Sequence, residues 1–206
     1  MAGADWTLFH WLNGQAGQHA WLDQLGKTAA TQLTLVIVVT LVGGWLLVAG
    51  GHFWRERQLP RGLLTVVFAA GISFALGLVA NQVIGHVWFR ARPYASHPRA
   101  HLLLSPSQDP SFPSDHATAG FALSLGAVTK VPRLAALLFM ETVLMSAGRV
   151  YAGLHYPGDI LGGLLVAAIA ATAGVWVVGR AGSIVDRAVI FVNGYAQRWG
   201  WPVRLS

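Results

Sequence analysis

The chain contains no cysteine, which excludes disulfides and thiolate metal sites. Charge is scarce too. Asp, Glu, Lys and Arg make up 11% of the 206 residues, against about 25% in soluble domains. The scarcity is uneven: residues 28–54, 62–89 and 160–179 hold none of the four. Each stretch offers the roughly 20 apolar residues that a helix needs to cross a bilayer core. Acidic residues are the rarer sign, 8 against 14 Lys plus Arg, for a net charge of +6. In a soluble protein that balance would suggest nucleic acid. Here membrane orientation accounts for it, and no nucleic-acid partner is expected. The N-terminus lacks a basic start followed by a compact apolar run, so no cleavable signal peptide is expected. No internal repeat or low-complexity linker divides the chain, so one integral membrane domain is expected over residues 1–206.

What is abundant is apolar. Hydrophobic residues make up 54% and the mean hydropathy is +0.53. The pattern predicts an all-α polytopic bundle of five to six transmembrane helices. The first span covers about 30–50 and the second about 62–85. Two shorter apolar runs, 116–129 and 134–148, meet at Lys130-Val-Pro-Arg133 and read as a helical hairpin. The fifth span covers about 158–179. Residues 5–27 are too polar to cross, and Trp6, Phe9, Trp11, Trp21 and Leu25 suggest short interfacial helices. Residues 183–199 place Ile184, Val185, Ala188, Val189, Val192, Ala196 and Trp199 on one helical face, with Asp186, Arg187 and Arg198 off it. That is an amphipathic interfacial helix. Five spans put Arg55, Arg57, Arg61, Lys130, Arg133, Arg180, Arg187, Arg198 and Arg204 on one side. Lys27, Arg90, Arg92, Arg99 and Arg149 fall on the other. The positive-inside rule makes the first group cytoplasmic. The N-terminus and the 86–113 loop then lie outside.

Three polar clusters fall on that outer side, all at span ends: WFRARPY with Arg90 and Arg92, SFPSDHATAG with Ser114, Asp115 and His116, and GRVYAGLHYPGD with Arg149, His155 and Asp159. Arg92 and Arg149 carry planar forks of donors suited to phosphate oxygens. Ser114 stands where an N-cap belongs, and the amides after it would point out of a helix end that favours anions. Pro157 suits the first position of the fifth span. Asp159 then lies in its first turn, able to turn back to the His155 imidazole. A carboxylate on one ring nitrogen leaves the other nucleophilic. His116 supplies a second imidazole, placed to protonate a leaving oxygen. The set amounts to a phosphoryl-transfer site that needs no metal or cofactor.

Several residues have plainer readings. Arg90 and Arg99 suit lipid headgroups as well as phosphate, and Asp115 can simply favour a helix N-terminus. His10, His19, His52, His86, His97 and His101 read as interfacial or loop residues. Glu141 lies in mid-span, where a charge costs about 2.5–3.5 kcal/mol, and reads as a buried structural group. Asn81 and Gln82 read as helix packing at the edge of the site.

The three clusters resemble the signature of the type 2 phosphatidic acid phosphatase superfamily, which also includes vanadium haloperoxidases. Its pattern is Lys-x6-Arg-Pro, then Pro-Ser-Gly-His, then Ser-Arg-x5-His-x3-Asp. Arg92-Pro93 match the first motif, Pro113-Ser114 and His116 the second, and Arg149, His155 and Asp159 the third with its spacing. Gly85 stands at the lysine position, Asp115 at the glycine and Gly148 at the serine. The missing lysine, the PSDH form and the stretches FHWLNGQAGQHAWLD and NQVIGHVWFRARPY are similar to bacterial undecaprenyl pyrophosphate phosphatases of the bacitracin-resistance type. The resemblance implies that His155 attacks phosphorus to give a phosphohistidine and that Asp159 orients it. His116 would serve as acid and then base, while Arg92, Arg149 and Ser114, with Arg90 in place of the lysine, hold phosphate. The implied substrate is an isoprenoid lipid pyrophosphate in the membrane. Phosphatidylglycerophosphate, phosphatidic acid or lipid A, or transfer to another lipid, would use the same site. A lipid transporter without chemistry is the reading from a different class, and it would call for a polar site at mid-membrane.

Overall fold

The computed structural model describes residues 2–56 and 61–198, and among these there are eight helices and no strand. They are α1 (Ala2–Asn13), α2 (Ala20–Glu56), α3 (Arg61–Val87), α4 (Pro93–Ser96), α5 (Asp115–Ala127), α6 (Pro132–Tyr151), α7 (Pro157–Arg180) and α8 (Gly182–Arg198). Arg57, Trp199 and Arg204, which enter the charge and amphipathicity readings, lie outside the described residues.

Among the described residues, α2, α3, α6 and α7 are long and apolar enough to cross a membrane. The chain is a multi-pass membrane protein. The run expected as the third span is different. α5 has 13 residues, about 20 Å at 1.5 Å per residue, against a hydrocarbon core of about 30 Å. It need not meet lipid, because α3, α6 and α7 pack around it. Its Ala117, Thr118, Gly120, Phe121, Ala122, Ser124, Gly126 and Ala127 are buried. Small residues let neighbouring backbones close on it where no hydrophobic effect drives helices together. Short length and weak amphipathicity are the marks of a central helix.

The amino-terminal region also differs from expectation. Residues 20–27 are not a separate interfacial helix but the first two turns of α2; no proline separates them from the apolar run, and the single Gly26 is tolerated within the helix. α1 is a separate helix, and it is docked. Phe9 is fully buried against Val150 and Tyr156. Asn13, also fully buried, donates to the carbonyls of His101 (2.8 Å) and Tyr151 (2.7 Å) and accepts from the His101 amide (2.8 Å). These bonds tie α1, the 86–113 loop and the end of α6 together. At the other end, α8 lays Val185 against Ala69 and Val178, and Asp186 pairs with Arg61 at 2.7 Å. Mid-span Glu141 has a partner that the sequence did not show: the Thr40 hydroxyl of α2 donates to Oε1 at 2.8 Å. That joins α2 to α6, while Oε2 is buried with no partner among the described residues.

Candidate active site

One end of the bundle gathers the C-termini of α3 and α6 and the N-termini of α2, α5 and α7. A pocket of about 430 Å³ opens there, lined among others by Arg92, Asp115, His116, Arg149 and His155. All three sequence clusters contribute to its wall.

His155 sits in the link between α6 and α7 and is 2% exposed. Its Nδ1 lies 2.9 Å from the Ser111 carbonyl. A carbonyl only accepts, so Nδ1 carries the proton and Nε2 keeps its lone pair. Arg92 Nη1 is 3.4 Å from Nε2. The Arg92 fork is itself held, with Nε donating to the Asp109 carbonyl (3.0 Å) and Nη1 to the Leu154 carbonyl (3.1 Å). Arg149 is anchored less tightly, Nη1 donating to the Ala30 carbonyl of α2 at 3.3 Å. Among the described residues its buried Nε has no partner, so a donor remains for an anionic ligand.

Ser114 is the N-cap of α5, its hydroxyl accepting from the Ala117 amide at 3.5 Å. It is fully buried. It therefore shapes the α5 N-terminus, and the helix end behind His116 is what meets an anion. Asp115 is exposed on the pocket wall, where Asn81 Nδ2 donates to its Oδ1 at 2.8 Å. Asn81 also donates to Thr118 at 3.0 Å, so it fixes α5 against α3 as well as holding this carboxylate.

Asp159 and Arg90 depart from their expected geometry. Asp159 Oδ2 lies 3.7 Å from His155 Nδ1, beyond hydrogen-bonding distance. The carboxylate instead accepts from the Ser111 hydroxyl (2.5 Å) and the Tyr156 amide (2.8 Å) through Oδ2. Ser111 thus stands between the two, bonding the imidazole with its carbonyl and the carboxylate with its hydroxyl. Arg90, expected to replace the family lysine on phosphate, is turned away from the pocket. Its Nη1 pairs with Asp159 Oδ1 at 2.7 Å and its Nη2 with Asp5 Oδ2 at 2.6 Å, so both amino groups are spent on carboxylates. Ser111 and Asp5 were missed from sequence because their partners lie 44 to 153 residues away and no local spacing signals them.

Of the two other family departures, Gly148 has a steric account. A Cβ at Gly148 would lie 2.7 Å from both the Ala29 Cβ and the Ala30 amide nitrogen, so glycine lets α2 close on α6 where Arg149 is anchored. Gly148→Ser should cost about 1–3 kcal/mol by overpacking, read as a lower Tm in detergent together with reduced activity. Gly85 opens on a neighbouring pocket of about 350 Å³, with Asn81, Gln82, Asp109 and Asp115, and presents no cation there.

Burial pushes the His155 imidazole below its ordinary value; Arg149 and Arg92 push it the same way, and Asp159 opposes them. Burial and like charge both disfavour the cation. A neutral imidazole is the nucleophilic form, and a lowered pKa keeps it neutral to lower pH. Were His155 the nucleophile, the acid limb of the kcat/KM profile would lie below the ordinary 6.5. A limb at or above that value would contradict the burial seen here.

Residues 63–183 match the sequence model of the PAP2 superfamily. The chain is 39% identical over 165 residues to undecaprenyl-diphosphatase BcrC of Bacillus subtilis, covering 80% of this chain and 79% of that one. It is 32% identical over 165 residues to the putative undecaprenyl-diphosphatase YbjG of Escherichia coli, covering 79% and 77%. Its fold is similar to the crystal structure of Aquifex aeolicus LpxE, with a TM-score of 0.61 at 23% identity over 82% of this chain and 92% of that one.

Proposed function

Since the chain belongs to the PAP2 superfamily and is a membrane phosphatase, we propose that it hydrolyses undecaprenyl pyrophosphate to the monophosphate through a phosphohistidine, recycling a cell-wall lipid carrier on the periplasmic side of a bacterial inner membrane. The observation that carries the chemistry is His155: Nδ1 is committed to the Ser111 carbonyl, and Nε2 keeps its lone pair, with only a long 3.4 Å approach from Arg92 Nη1 at the pocket wall. In the first displacement Nε2 bonds to the terminal phosphorus and the bridging P–O bond breaks. The lipid monophosphate leaves with the electron pair and a proton from His116: burial and the cations Arg149 and Arg92 push that imidazole down to about 4, and the negative charge of a bound pyrophosphate beside it offsets them and favours the protonated form. In the second, His116 takes a proton from water, the water oxygen bonds to phosphorus and the N–P bond breaks, restoring His155 and releasing inorganic phosphate. Arg92, Arg149 and the α5 N-terminus meet the charge on the transferring group.

Lipid substrates are supported by a second feature. An almost wholly apolar groove of about 240 Å³ starts at Asp115 and His116 and runs between α2 and α3 over α5, along Thr34, Ile37, Phe74, Leu78 and Leu123. A hydrocarbon chain lying in it would sit beside the phosphate pocket, which supports a lipid substrate. The proposed orientation is supported by the basic residues Arg55, Arg61, Lys130, Arg133, Arg180 and Arg187, which lie at the end of the bundle opposite the pocket.

The purified protein should release phosphate from undecaprenyl pyrophosphate faster than from phosphatidylglycerophosphate, phosphatidic acid or lipid A, and equally with or without EDTA, since arginines and a helix end supply the positive charge. A preference for a phosphomonoester lipid would reassign the substrate. No release from any lipid would end the enzymatic reading in favour of lipid binding. A cysteine placed at Gln108 should be labelled by an impermeant reagent in intact spheroplasts, and protection there would reverse the orientation.

A further inference from the structure

Arg90 is partly buried against Asp159 and the Tyr156 ring, yet the mechanism above gives it no task. We propose that Asp5 and Arg90 are positioning residues, a clamp by which α1 holds the His155–Asp159 segment in its reactive geometry. The proposal rests on the phosphatase reading of that segment. It extends the site to a helix that precedes the matched residues, since the family match begins at residue 63.

The Asp159 side chain is 0% exposed. A carboxylate in such a place needs an opposite charge and full hydrogen bonding, and Arg90 supplies the charge at 2.7 Å. Arg90 is in turn bracketed, for its other amino group meets Asp5 of α1 at 2.6 Å and its guanidinium lies 4.1 Å above the Tyr156 ring. A planar fork caught between two carboxylates and an aromatic face has little freedom. Asp5 makes one more bond, accepting from the Gly158 amide at 2.8 Å through Oδ1. Gly158 is in the first turn of α7, where amides lack helical partners and a carboxylate is favoured. α1 also covers the segment with its rings: Phe9 meets Tyr156 at 5.6 Å between centroids, and Trp6 stacks on His97 at 3.9 Å. A continuous path results, from Asp5 through Arg90 to Asp159, from Asp159 to the Ser111 hydroxyl, and from the Ser111 carbonyl to His155 Nδ1. Neither Asp5 nor Arg90 touches the reacting atoms. Their task is to fix the Asp159 carboxylate, and with it the tautomer and direction of the imidazole.

The test compares Arg90→Ala, Arg90→Lys, Asp5→Ala and the double variant Asp5→Ala/Arg90→Ala, with Trp11→Ala as an exposed control on the same helix. Each is assayed on the lipid that the wild type hydrolyses fastest. Misplacement of a reacting group by about 1 Å costs about 10²-fold. Arg90→Ala should therefore lower kcat about 10- to 100-fold with KM unchanged, and Arg90→Lys should recover part of the loss. Asp5→Ala should lower kcat about 10-fold, and the double variant should be no worse than Arg90→Ala, because both act through one path. A raised KM with unchanged kcat for Arg90→Ala would make Arg90 a phosphate ligand and overturn the clamp. So would a wild-type rate for Asp5→Ala, or independent losses that multiply in the double variant. A second measurement needs no turnover. In ¹⁵N-histidine spectra of the whole protein, Asp5→Ala should shift the His155 ring signals while Trp11→Ala leaves them in place. Unmoved signals in Asp5→Ala would overturn the clamp even if no lipid proved to be a substrate. Shifted signals in a protein without phosphatase activity would leave the clamp standing and end the phosphatase reading.

Discussion

His155→Ala is expected to reduce phosphate release to the background of the assay, a loss of at least about 10⁴-fold for a group that forms the covalent intermediate. The expectation follows from geometry as well as residue type. Nδ1 is tied to the Ser111 carbonyl, so the remaining lone pair is on Nε2, beside the Arg92 fork. No side chain of similar basicity can substitute from the same link, because Leu154 and Tyr156 flank it. Rapid acid-free quenching with substrate labelled in its terminal phosphate should trap a base-stable, acid-labile phosphoprotein in the wild type and none in the variant. Activity surviving in His155→Ala would remove it as the nucleophile.

His116→Ala should cost about 10²–10⁴-fold in steady-state turnover, the usual range for one acid–base group, and the two half-reactions should suffer unequally. With a lipid pyrophosphate the leaving group is a monophosphate, whose second pKa is near 6. It departs with little protonation, so the first displacement should largely survive. The second requires a base to activate water, so phosphorylated His155 should accumulate, seen as a burst of about one equivalent of lipid monophosphate. With a phosphomonoester lipid the leaving group is an alkoxide, about as basic as hydroxide in bulk water at 15.7. Both steps then need His116, and no burst should appear. Equal losses on both substrates without a phosphoenzyme would exclude the acid–base role. The same comparison bears on the substrate, since a site built for pyrophosphate leans on His116 chiefly in its second step.

How far the molecule was legible in its sequence depended on distance along the chain. The charge-free stretches became α2, α3 and α7 because a bilayer admits only segments that satisfy their own backbone. The third-motif spacing put Arg149 on the last turn of α6 and Asp159 in the first turn of α7, with His155 between, since six and four residues allow little else. Pro157 began its helix as expected. α5 was harder. Its 14-residue apolar run looked like a marginal span, and only its neighbours reveal a helix short enough to be enclosed.

The polar links of the site were not legible. Asp159 seemed placed to bond His155 directly, being four residues away, but the turn preceding α7 leaves 3.7 Å between them and Ser111, 48 residues from Asp159, completes the connection. Arg90 looked like the natural replacement for the absent lysine at Gly85. Its direction is decided by two carboxylates, 69 residues later and 85 residues earlier, which outcompete a pocket that already holds two other arginines. Gly148 looked like a lapse in a motif, and it is the close approach of α2 that accounts for it.

By itself the sequence determined that this is a helical membrane protein, which end of the bundle carries its polar chemistry, and the residue types gathered there. Those properties follow from hydropathy and from spacings within one or two helical turns. Only the tertiary structure decided which nitrogen of His155 keeps its lone pair, what holds Asp159, and that an amino-terminal helix reaches the site. Each of these depends on partners far apart in the chain, brought within 3 Å by helix packing that no local pattern encodes.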